Sequence, residues 1–316
     1  MNFPSLPEAN TLLRQSLILP STFHTLQRQG KRFRPTIVAL MARALSPAEV
    51  PYIGTRTNEL QLNLGQITEM IHVASLIHDD VLDESEMRRG GASVHTMYTN
   101  KVAVLAGDYL LAKASVLLAR LQHFQVVEVM ASALEALVMG EIMQARSKKE
   151  ELLDMNYYLR KSYFKTASLI CSACKSSALL AGYEEAHDFT VAAEEYGYHL
   201  GMAYQIVDDI LDFTGASATL GKPAQADMEL GLSTACILYA SQDLKELRPM
   251  IQRKYSEKGD IQKAVEMASK TDCVAKSYNL AEFHAQKAVD ALNRLPPSDA
   301  RSALMRLLHT AISRTS

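Results

Sequence analysis

The chain has 316 residues, of which 48% are hydrophobic and 22% charged, with a formal net charge of −2. This composition fits a folded chain with a large core, and the near-neutral charge excludes a basic surface for nucleic acid. Glycine (14) and proline (10) are sparse, which predicts an all-α chain. We find no Gly/Ser/Pro-rich linker, so residues 30–316 are predicted to form a single domain. No apolar run approaches the roughly 18 residues of a transmembrane helix, and none is predicted.

Residues 1–29 form a separate, divergent or shortened N-terminal segment in which Pro4, Pro7 and Pro20 permit only short helices. Residues 1–20 lack the basic, acid-poor composition of a transit peptide, so the chain is expected either to have no presequence or to be a mature or shortened form. A basic turn follows, with Lys31 and Arg34 just before a helical run. Cations at a helix start favour an anion, although the same residues also suit a basic turn on the surface.

An Asp-rich motif closes the next predicted helix, residues 58–77. Asp79, Asp80 and Asp83 stand at i, i+1 and i+4, Arg88 and Arg89 follow, and Gly90 and Gly91 are predicted to break the helix after Arg89. Helical geometry holds the three carboxylates within about one turn, where their repulsion must be neutralised by cations. Oxygen ligands suit Mg²⁺, and arginine binds phosphate oxygens, so the motif predicts a metal–diphosphate site.

The same spacing recurs in the helix predicted over residues 189–213, with Asp208, Asp209 and Asp212. One such motif fits an ordinary solvated helix end, but two favour opposite sides of a single metal–diphosphate site. His72 lies two turns before the first motif, on the face of Asp79. It is either a satisfied core histidine or a donor to a diphosphate.

Further long helices are predicted over residues 102–121, 124–143 and 156–181. The last carries Lys165, which could simply extend its amine to solvent, and Thr166, which could bond back to its own helix, loosen the turn and expose a carbonyl. In the same helix, a CxxC pair at Cys171 and Cys174 lacks a second ligand pair, which favours buried free thiols over a redox or zinc site.

The C-terminal third begins with a loop predicted over residues 214–232, which contains Lys222 and Asp227. Helices are predicted over residues 234–316, divided near Gly259 and near Pro296 and Pro297, with Ser298 as the N-cap of the last one. We predict that residues 234–316 contribute packing alone.

In the order and type of these motifs, the chain resembles the trans-prenyl diphosphate synthases from about residue 30 to 240, and more loosely to the end. It looks most like the long-chain solanesyl or decaprenyl members that make quinone (ubiquinone-type) side chains. The resemblance implies the isoprenoid synthase fold, a helical bundle around a deep central cavity. It also implies a Mg²⁺-dependent prenyltransferase that condenses isopentenyl diphosphate with an allylic diphosphate.

The resemblance also implies residue roles. About three Mg²⁺ ions are expected on the aspartates of both motifs. The allylic diphosphate is expected to contact Arg88, Lys165 and Lys222. The diphosphate of isopentenyl diphosphate is expected on Lys31, Arg34, His72 and Arg89, and the reacting carbons are expected to face Thr166 and Gln205. Two departures are Leu232, where short-chain relatives usually have lysine, and the shortened segment before residue 30, which often contributes to the dimer.

Product length is expected to depend on Ala74 and Ser75, five and four residues before Asp79. They stand roughly 7 Å along the helix, where short-chain relatives tend to place bulky aromatics. Small side chains there predict a long product, although Ala74 also suits close helix packing. One alternative is a short-chain farnesyl or geranylgeranyl synthase. A terpene cyclase is disfavoured by the second Asp-rich motif. A subunit of a heteromeric synthase stays possible, although the intact motifs disfavour a non-catalytic partner. The resemblance implies a homodimer, peripheral membrane contact for product release, and a mitochondrial location, with cytoplasm or plastid as alternatives.

Overall fold

The computed structural model describes residues 32–46, 54–88, 90–215 and 225–314. The N-terminal segment, Lys31, Arg89 and Lys222 therefore lie outside the described residues. Within the described ranges the regular structure is helical apart from one two-stranded hairpin, which confirms the all-α prediction. Contacts between residues divide the chain into two compact units, Met1–Thr36 with Leu62–Phe124 and Ile37–Gln61 with Gln125–Ser316. The prediction of one domain from residue 30 stays a prediction.

The elements follow the predicted order. The first seven are α1 (Phe33–Ala44), α2 (Arg56–Leu82), β1 (Met87–Arg88), β2 (Gly91–Ala92), α3 (Val94–Met97), α4 (Asn100–Arg120) and α5 (Phe124–Arg146). After a 3₁₀ turn (Glu151–Leu153) come α6 (Met155–Ser162), a π-helical turn (Tyr163–Ala167), α7 (Ser168–Leu180) and α8 (Asp188–Thr214). The last six are α9 (Ala226–Glu229), α10 (Ala235–Asp243), α11 (Leu247–Gln252), α12 (Asp260–Ala268), α13 (Cys273–Asn293) and α14 (Asp299–Ile312).

In the first unit, the C-terminal half of α2 supplies the core. Its buried residues pack against α3 and α4 in one apolar cluster, which comprises Val73, Ala74, Ile77, Val94, Ala103 and Leu110. Close approach of α4 requires Gly107, because a Cβ there would lie 2.1 Å from Nε2 of His78. The same imidazole nitrogen is 3.1 Å from the Val104 carbonyl oxygen. These contacts fix the end of α2 that carries the first Asp motif.

A left-handed turn ends α2. Glu84 has φ +50°, and the Ser85 N–H donates to the Asp80 carbonyl oxygen at 2.9 Å, which is the pattern of a helix C-terminus closed by a left-handed residue. The hairpin then pairs Met87 with Ala92 and Arg88 with Gly91. The sequence placed this break at the glycines after Arg89, but the helix already ends at Leu82. The early end sets Arg88 on a strand that returns toward Asp80.

Helix α4 is the one described helix that is long and apolar enough to cross a membrane, with a mean hydropathy of 1.7 in its most apolar window. The expectation that no run approaches this length was therefore wrong for α4. A single helix of this kind is weak evidence for a membrane span, because core helices of folded proteins pass the same test.

The second unit is organised around α8, which packs against α7 and α13. Gly197 and Gly201 admit the backbone of the preceding segment, since a Cβ at either position would approach the Cα of Cys171 or Ala167 within 2.7 Å. Cys171 and Cys174 are free and buried, as predicted, and burial raises the pKa of Cys171 to about 12. The Ser298 hydroxyl accepts from the Arg301 N–H at 3.1 Å, which confirms the predicted N-cap of α14.

Candidate active site

The first Asp motif lies at the end of α2, and Asp80 is its buried member. The Asp80 side chain is only 4% exposed and accepts a 2.7 Å hydrogen bond from Arg88 Nε, with a second contact from Arg88 Nη2. Burial raises the pKa of Asp80, and the Arg88 guanidinium opposes this shift. A further cation would stabilise the ionised form of this buried carboxylate, which has one arginine partner. Arg88 is thus placed beside the motif, as predicted.

His95 is a neighbour of this motif that the sequence analysis missed. Its imidazole acts on Asp80 electrostatically, and its Nδ1 lies 3.0 Å from the Ser93 hydroxyl oxygen. The signal was weak, because His95 belongs to the four-residue helix α3 just after the hairpin.

The second Asp motif occupies the last turns of α8, and Asp209 is its buried member at 4% exposure. The Tyr158 hydroxyl donates to Asp209 Oδ2 at 2.6 Å, and Gln205 Nε2 donates to Oδ1 at 2.7 Å. Burial raises the pKa of Asp209 well above its usual range, and the nearby Asp227 charge adds to the shift. Both oxygens of this carboxylate are therefore held by protein donors.

The other two aspartates of this motif have different partners. Asp212 accepts backbone N–H groups from Ala226 and Asp227 at 3.1 and 3.2 Å, and so anchors the start of the short helix α9. Asp208 Oδ1 lies 2.8 Å from Arg314 Nη1. The three side chains of the motif thus point to three different partners.

Arg314 corrects the prediction that residues 234–316 contribute packing alone. Besides its ion pair with Asp208, it donates to the Tyr204 carbonyl oxygen at 3.2 Å, and its guanidinium carbon lies 4.1 Å from the centroid of the Tyr204 ring. Sequence spacing gives no signal for this contact, because the two residues are joined only by the tertiary fold.

Thr166 and Gln205, which the resemblance places near the reacting carbons, contact each other in the structure. Thr166 lies in the π-helical turn, where the Ser168 N–H bonds to the Tyr163 carbonyl five residues earlier. The predicted loosening of this turn is thus present. However, the Thr166 hydroxyl donates to Gln205 Oε1 at 2.6 Å, and not back to its own helix. Such π-helical turns are frequent at functional sites.

Lys165 faces α5 in this structure. Its ammonium lies 2.6 Å from Glu141 Oε1 and donates to Gln144 Oε1 at 2.9 Å. Gly140 gives it room, since a Cβ there would lie 2.6 Å from Lys165 Cγ. Glu141 was missed by the sequence analysis, although it and Gln144 share one helix face at i and i+3.

The predicted roles of all these site residues, and of those that follow, stay predictions. Arg34 lies in the first turn of α1, and His72 lies in α2, where its carbonyl accepts from the Ser75 hydroxyl at 2.9 Å. Ala74 is fully buried in the apolar cluster of the first unit, and Ser75 is half-buried. This burial fits close helix packing by Ala74 and leaves Ser75 as the more accessible of the two.

The chemistry of the donors fits Mg²⁺. All six aspartates of the motifs offer oxygen ligands, and burial disfavours the ionised form of Asp80 and Asp209 until a cation neutralises it. In the parts of the chain that the structure describes, no three histidine, cysteine or carboxylate side chains are grouped to hold one ion. Diphosphate oxygens and water would therefore have to complete the coordination.

Known proteins resemble this chain over almost its whole length. The sequence profile of the polyprenyl synthetase family matches residues 15–268. Solanesyl-diphosphate synthase 1, mitochondrial, from Oryza sativa subsp. japonica is 43% identical, over 93% of this chain and 71% of its own length. Decaprenyl-diphosphate synthase from Dictyostelium discoideum is 44% identical, over 91% of this chain and 60% of its own.

A solved structure of polyprenyl synthase from Caulobacter crescentus CB15, complexed with calcium and isoprenyl diphosphate, has a TM-score of 0.84 to this chain. It is 31% identical, and the match covers 95% of this chain and 90% of that one. The expected isoprenoid synthase fold and prenyltransferase class are confirmed, and the relatives are of the long-chain type that the resemblance indicated. Matching motifs, fold and profile together show that this chain belongs to the polyprenyl synthetase family.

Proposed function

We propose that this chain is a long-chain trans-polyprenyl diphosphate synthase that joins isopentenyl diphosphate to an allylic diphosphate. The observation that carries the proposal is the connected set of side chains at the second motif. Thr166, Gln205 and Asp209 are linked by hydrogen bonds of 2.6 and 2.7 Å. This set joins a carboxylate suited to a metal–diphosphate to two polar groups suited to the reacting end of the substrate.

The reaction follows from the charges. The allylic C–O bond breaks, leaving a diphosphate anion and a delocalised carbocation, and the alkene of isopentenyl diphosphate attacks the cation. A proton then leaves, with the departed diphosphate as its acceptor. Mg²⁺, held by aspartates of the two motifs, supplies neutralisation of the diphosphate charge when bound. No protein nucleophile is required.

The chain's own residues bind and orient the two diphosphates. Arg88, already paired with Asp80, and Lys165 are proposed to bind the allylic diphosphate together with Lys222. Lys165 has to exchange Glu141 for the phosphate oxygens. Arg88 already lies beside the first motif, and a cation fixed near the leaving oxygen lowers the barrier because it is in place before the charge develops.

Isopentenyl diphosphate is proposed to bind through a second set of basic groups. This set comprises Lys31, Arg34, His72 and Arg89. Because neither Ala74 nor Ser75 is bulky, elongation is proposed to continue past 20 carbons, toward the long products named for the rice and Dictyostelium relatives. A homodimer, a mitochondrial location and a role in quinone side chains are part of the same proposal, because the family resemblance implies them and the rice relative is named as mitochondrial.

The test is coupled consumption of substrates. Purified chain, Mg²⁺, farnesyl diphosphate and labelled isopentenyl diphosphate should release one diphosphate for each label transferred, and EDTA should stop both. Asp79→Asn and Asp208→Asn should slow transfer by about 10²–10³-fold. The control is Asp243→Asn, which should leave the transfer rate unchanged. Asp243 Oδ2 pairs with Lys276 Nζ at 2.9 Å on the surface. Diphosphate release without label transfer would overturn the proposal in favour of a cyclase.

A further inference from the structure

Tyr158 is a buried residue beneath the second Asp motif that no role yet explains. It belongs to α6, which starts where the Asp154 carboxylate accepts the Asn156 N–H at 2.9 Å. Its ring is 3% exposed and packs with Ala235 and Leu238. The buried hydroxyl donates to Asp209 and has the Ser162 side chain as its other hydrogen-bond neighbour.

The hydrogen bonds around Asp209 have a fixed direction. When a bound cation holds Asp209 ionised, its carboxylate only accepts, so the Tyr158 hydroxyl donates to Oδ2 and the Gln205 amide turns its NH₂ group to Oδ1. This leaves Gln205 Oε1 facing Thr166, whose hydroxyl must then donate at 2.6 Å. Tyr158 therefore influences groups that it does not touch.

Removing the Tyr158 hydroxyl would break one end of this series of hydrogen bonds. Asp209 would keep only the Gln205 amide as a described side-chain hydrogen-bond donor, and its carboxylate could rotate about χ2, a broad torsion. Gln205 would follow, because its amide orientation depends on the acceptor. A hydrogen bond to a charged group in a buried site is among the stronger ones in proteins.

A charge on the same helix supports the arrangement. Lys161 lies three residues after Tyr158, so the two side chains share a face of α6. Burial lowers the pKa of Lys161, and the charges of Asp209 and Asp227 oppose this shift by favouring the ammonium form. Helix α6 thus presents a donor and a cation to a carboxylate that faces it from α8.

We propose that Tyr158 is a positioning residue, which orients Asp209 and through it the Gln205 amide and the Thr166 hydroxyl. This inference deepens the proposed function and rests on it. Its distinctive consequence is coupling between Tyr158 and Gln205, two residues whose connection runs through Asp209.

The experiment is a double-mutant cycle in the full chain, with Tyr158→Phe, Gln205→Leu and the double variant. Tyr158→Phe should lower kcat/KM for farnesyl diphosphate by about 10–100-fold, since one hydrogen bond to a charged group is lost. KM for isopentenyl diphosphate should stay within about twofold. In the double variant, kcat/KM should fall about as much as in the worse single variant, because Tyr158 and Gln205 both act through the Asp209 carboxylate.

The control is Tyr157→Phe on the same helix. It loses an equivalent hydroxyl, which donates to the Met143 carbonyl at 2.7 Å, away from Asp209. Its kcat/KM should stay within about twofold of the wild type. Multiplicative losses in the Tyr158 and Gln205 cycle, or a Tyr158→Phe variant as active as Tyr157→Phe, would overturn the proposal.

A second measurement needs no turnover and no loss of the hydroxyl. With 3-fluorotyrosine at position 158, the ¹⁹F resonance should shift on Asp209→Asn and stay unchanged on Asp243→Asn. An unchanged resonance in Asp209→Asn would overturn the positioning role even if Tyr158→Phe fails to fold. Failure of the proposed function is distinguishable, because the wild-type chain itself would then transfer no label.

Discussion

Replacing Arg314 with glutamine should change metal dependence and stability in opposite directions. The guanidinium pairs with Asp208 at 2.8 Å and lies over the Tyr204 ring, while the Asp208 side chain stays 42% exposed. At this exposure the ion pair contributes about 0.2–1 kcal/mol, and the ring contact adds about 0.5–1 kcal/mol. The free energy of unfolding of the metal-free protein should therefore fall by about 1–2 kcal/mol.

The Mg²⁺ requirement should instead relax. Arg314 occupies Asp208, so a metal ion that uses this carboxylate must first displace it. Removing a competitor that contributes about 1 kcal/mol should lower the half-saturating Mg²⁺ concentration about fivefold. The assay is label transfer against Mg²⁺ concentration at saturating substrates, beside urea unfolding in EDTA. Arg306→Gln is the control, because Arg306 is an exposed arginine on helix α14, which ends just before Arg314. A half-saturating concentration that is unchanged or raised in Arg314→Gln would refute the competition.

Three further predictions concern other parts of the chain. His284 is buried with its Nδ1 2.9 Å from that of His199, and burial lowers its pKa to about 4. The unfolded chain takes up a proton on His284 near pH 6.5, but the folded chain does so only near pH 4. The free energy of unfolding should therefore fall by about 3 kcal/mol as the pH falls from 6.5 to 4. Urea unfolding should show that the free energy of unfolding falls less steeply with decreasing pH in His284→Gln than in the wild type. An equal dependence on pH would contradict this. Ala74→Phe should shorten the product and cost about 1–3 kcal/mol through overpacking, whereas Ser75→Phe should shorten it at a smaller cost in stability; chromatographic sizing and melting decide, and unchanged product lengths refute the role. Glu141→Gln frees the Lys165 ammonium and should lower KM for farnesyl diphosphate by about two- to fivefold, while a raised KM would show that Glu141 orients the lysine.

Local patterns predicted the position of the first Asp motif on α2 and the N-cap of α14. The i, i+1, i+4 spacing placed Asp79 and Asp80 in the last turn of α2, and Ser298 was recognised as an N-cap because capping depends on neighbouring residues alone. The loosened turn at Thr166 is present, but its predicted cause was wrong, because the Thr166 hydroxyl donates to Gln205 and not back to its own helix. The Asp spacing and the N-cap are each encoded within a few residues.

The partners of the site residues could not be read from the sequence in the same way. Tyr158 meets Asp209, and Arg314 meets Asp208, only because helices distant in the chain pack together. No periodicity in the sequence connects such positions. In its local sequence, Arg314 looks the same as an arginine that is simply exposed to solvent. The early end of α2 was missed for a different reason. It depends on Glu84 adopting a left-handed conformation, which glycine would ordinarily signal.

The most direct test of the central claim is the length of the product. Purified chain with Mg²⁺, farnesyl diphosphate and excess isopentenyl diphosphate should yield, after dephosphorylation and mass spectrometry, prenyl alcohols of more than 20 carbons that grow in five-carbon steps. Products that end at 20 carbons would contradict the long-chain assignment. Cyclic hydrocarbons, or intact farnesyl diphosphate after full incubation with metal, would contradict the account as a whole.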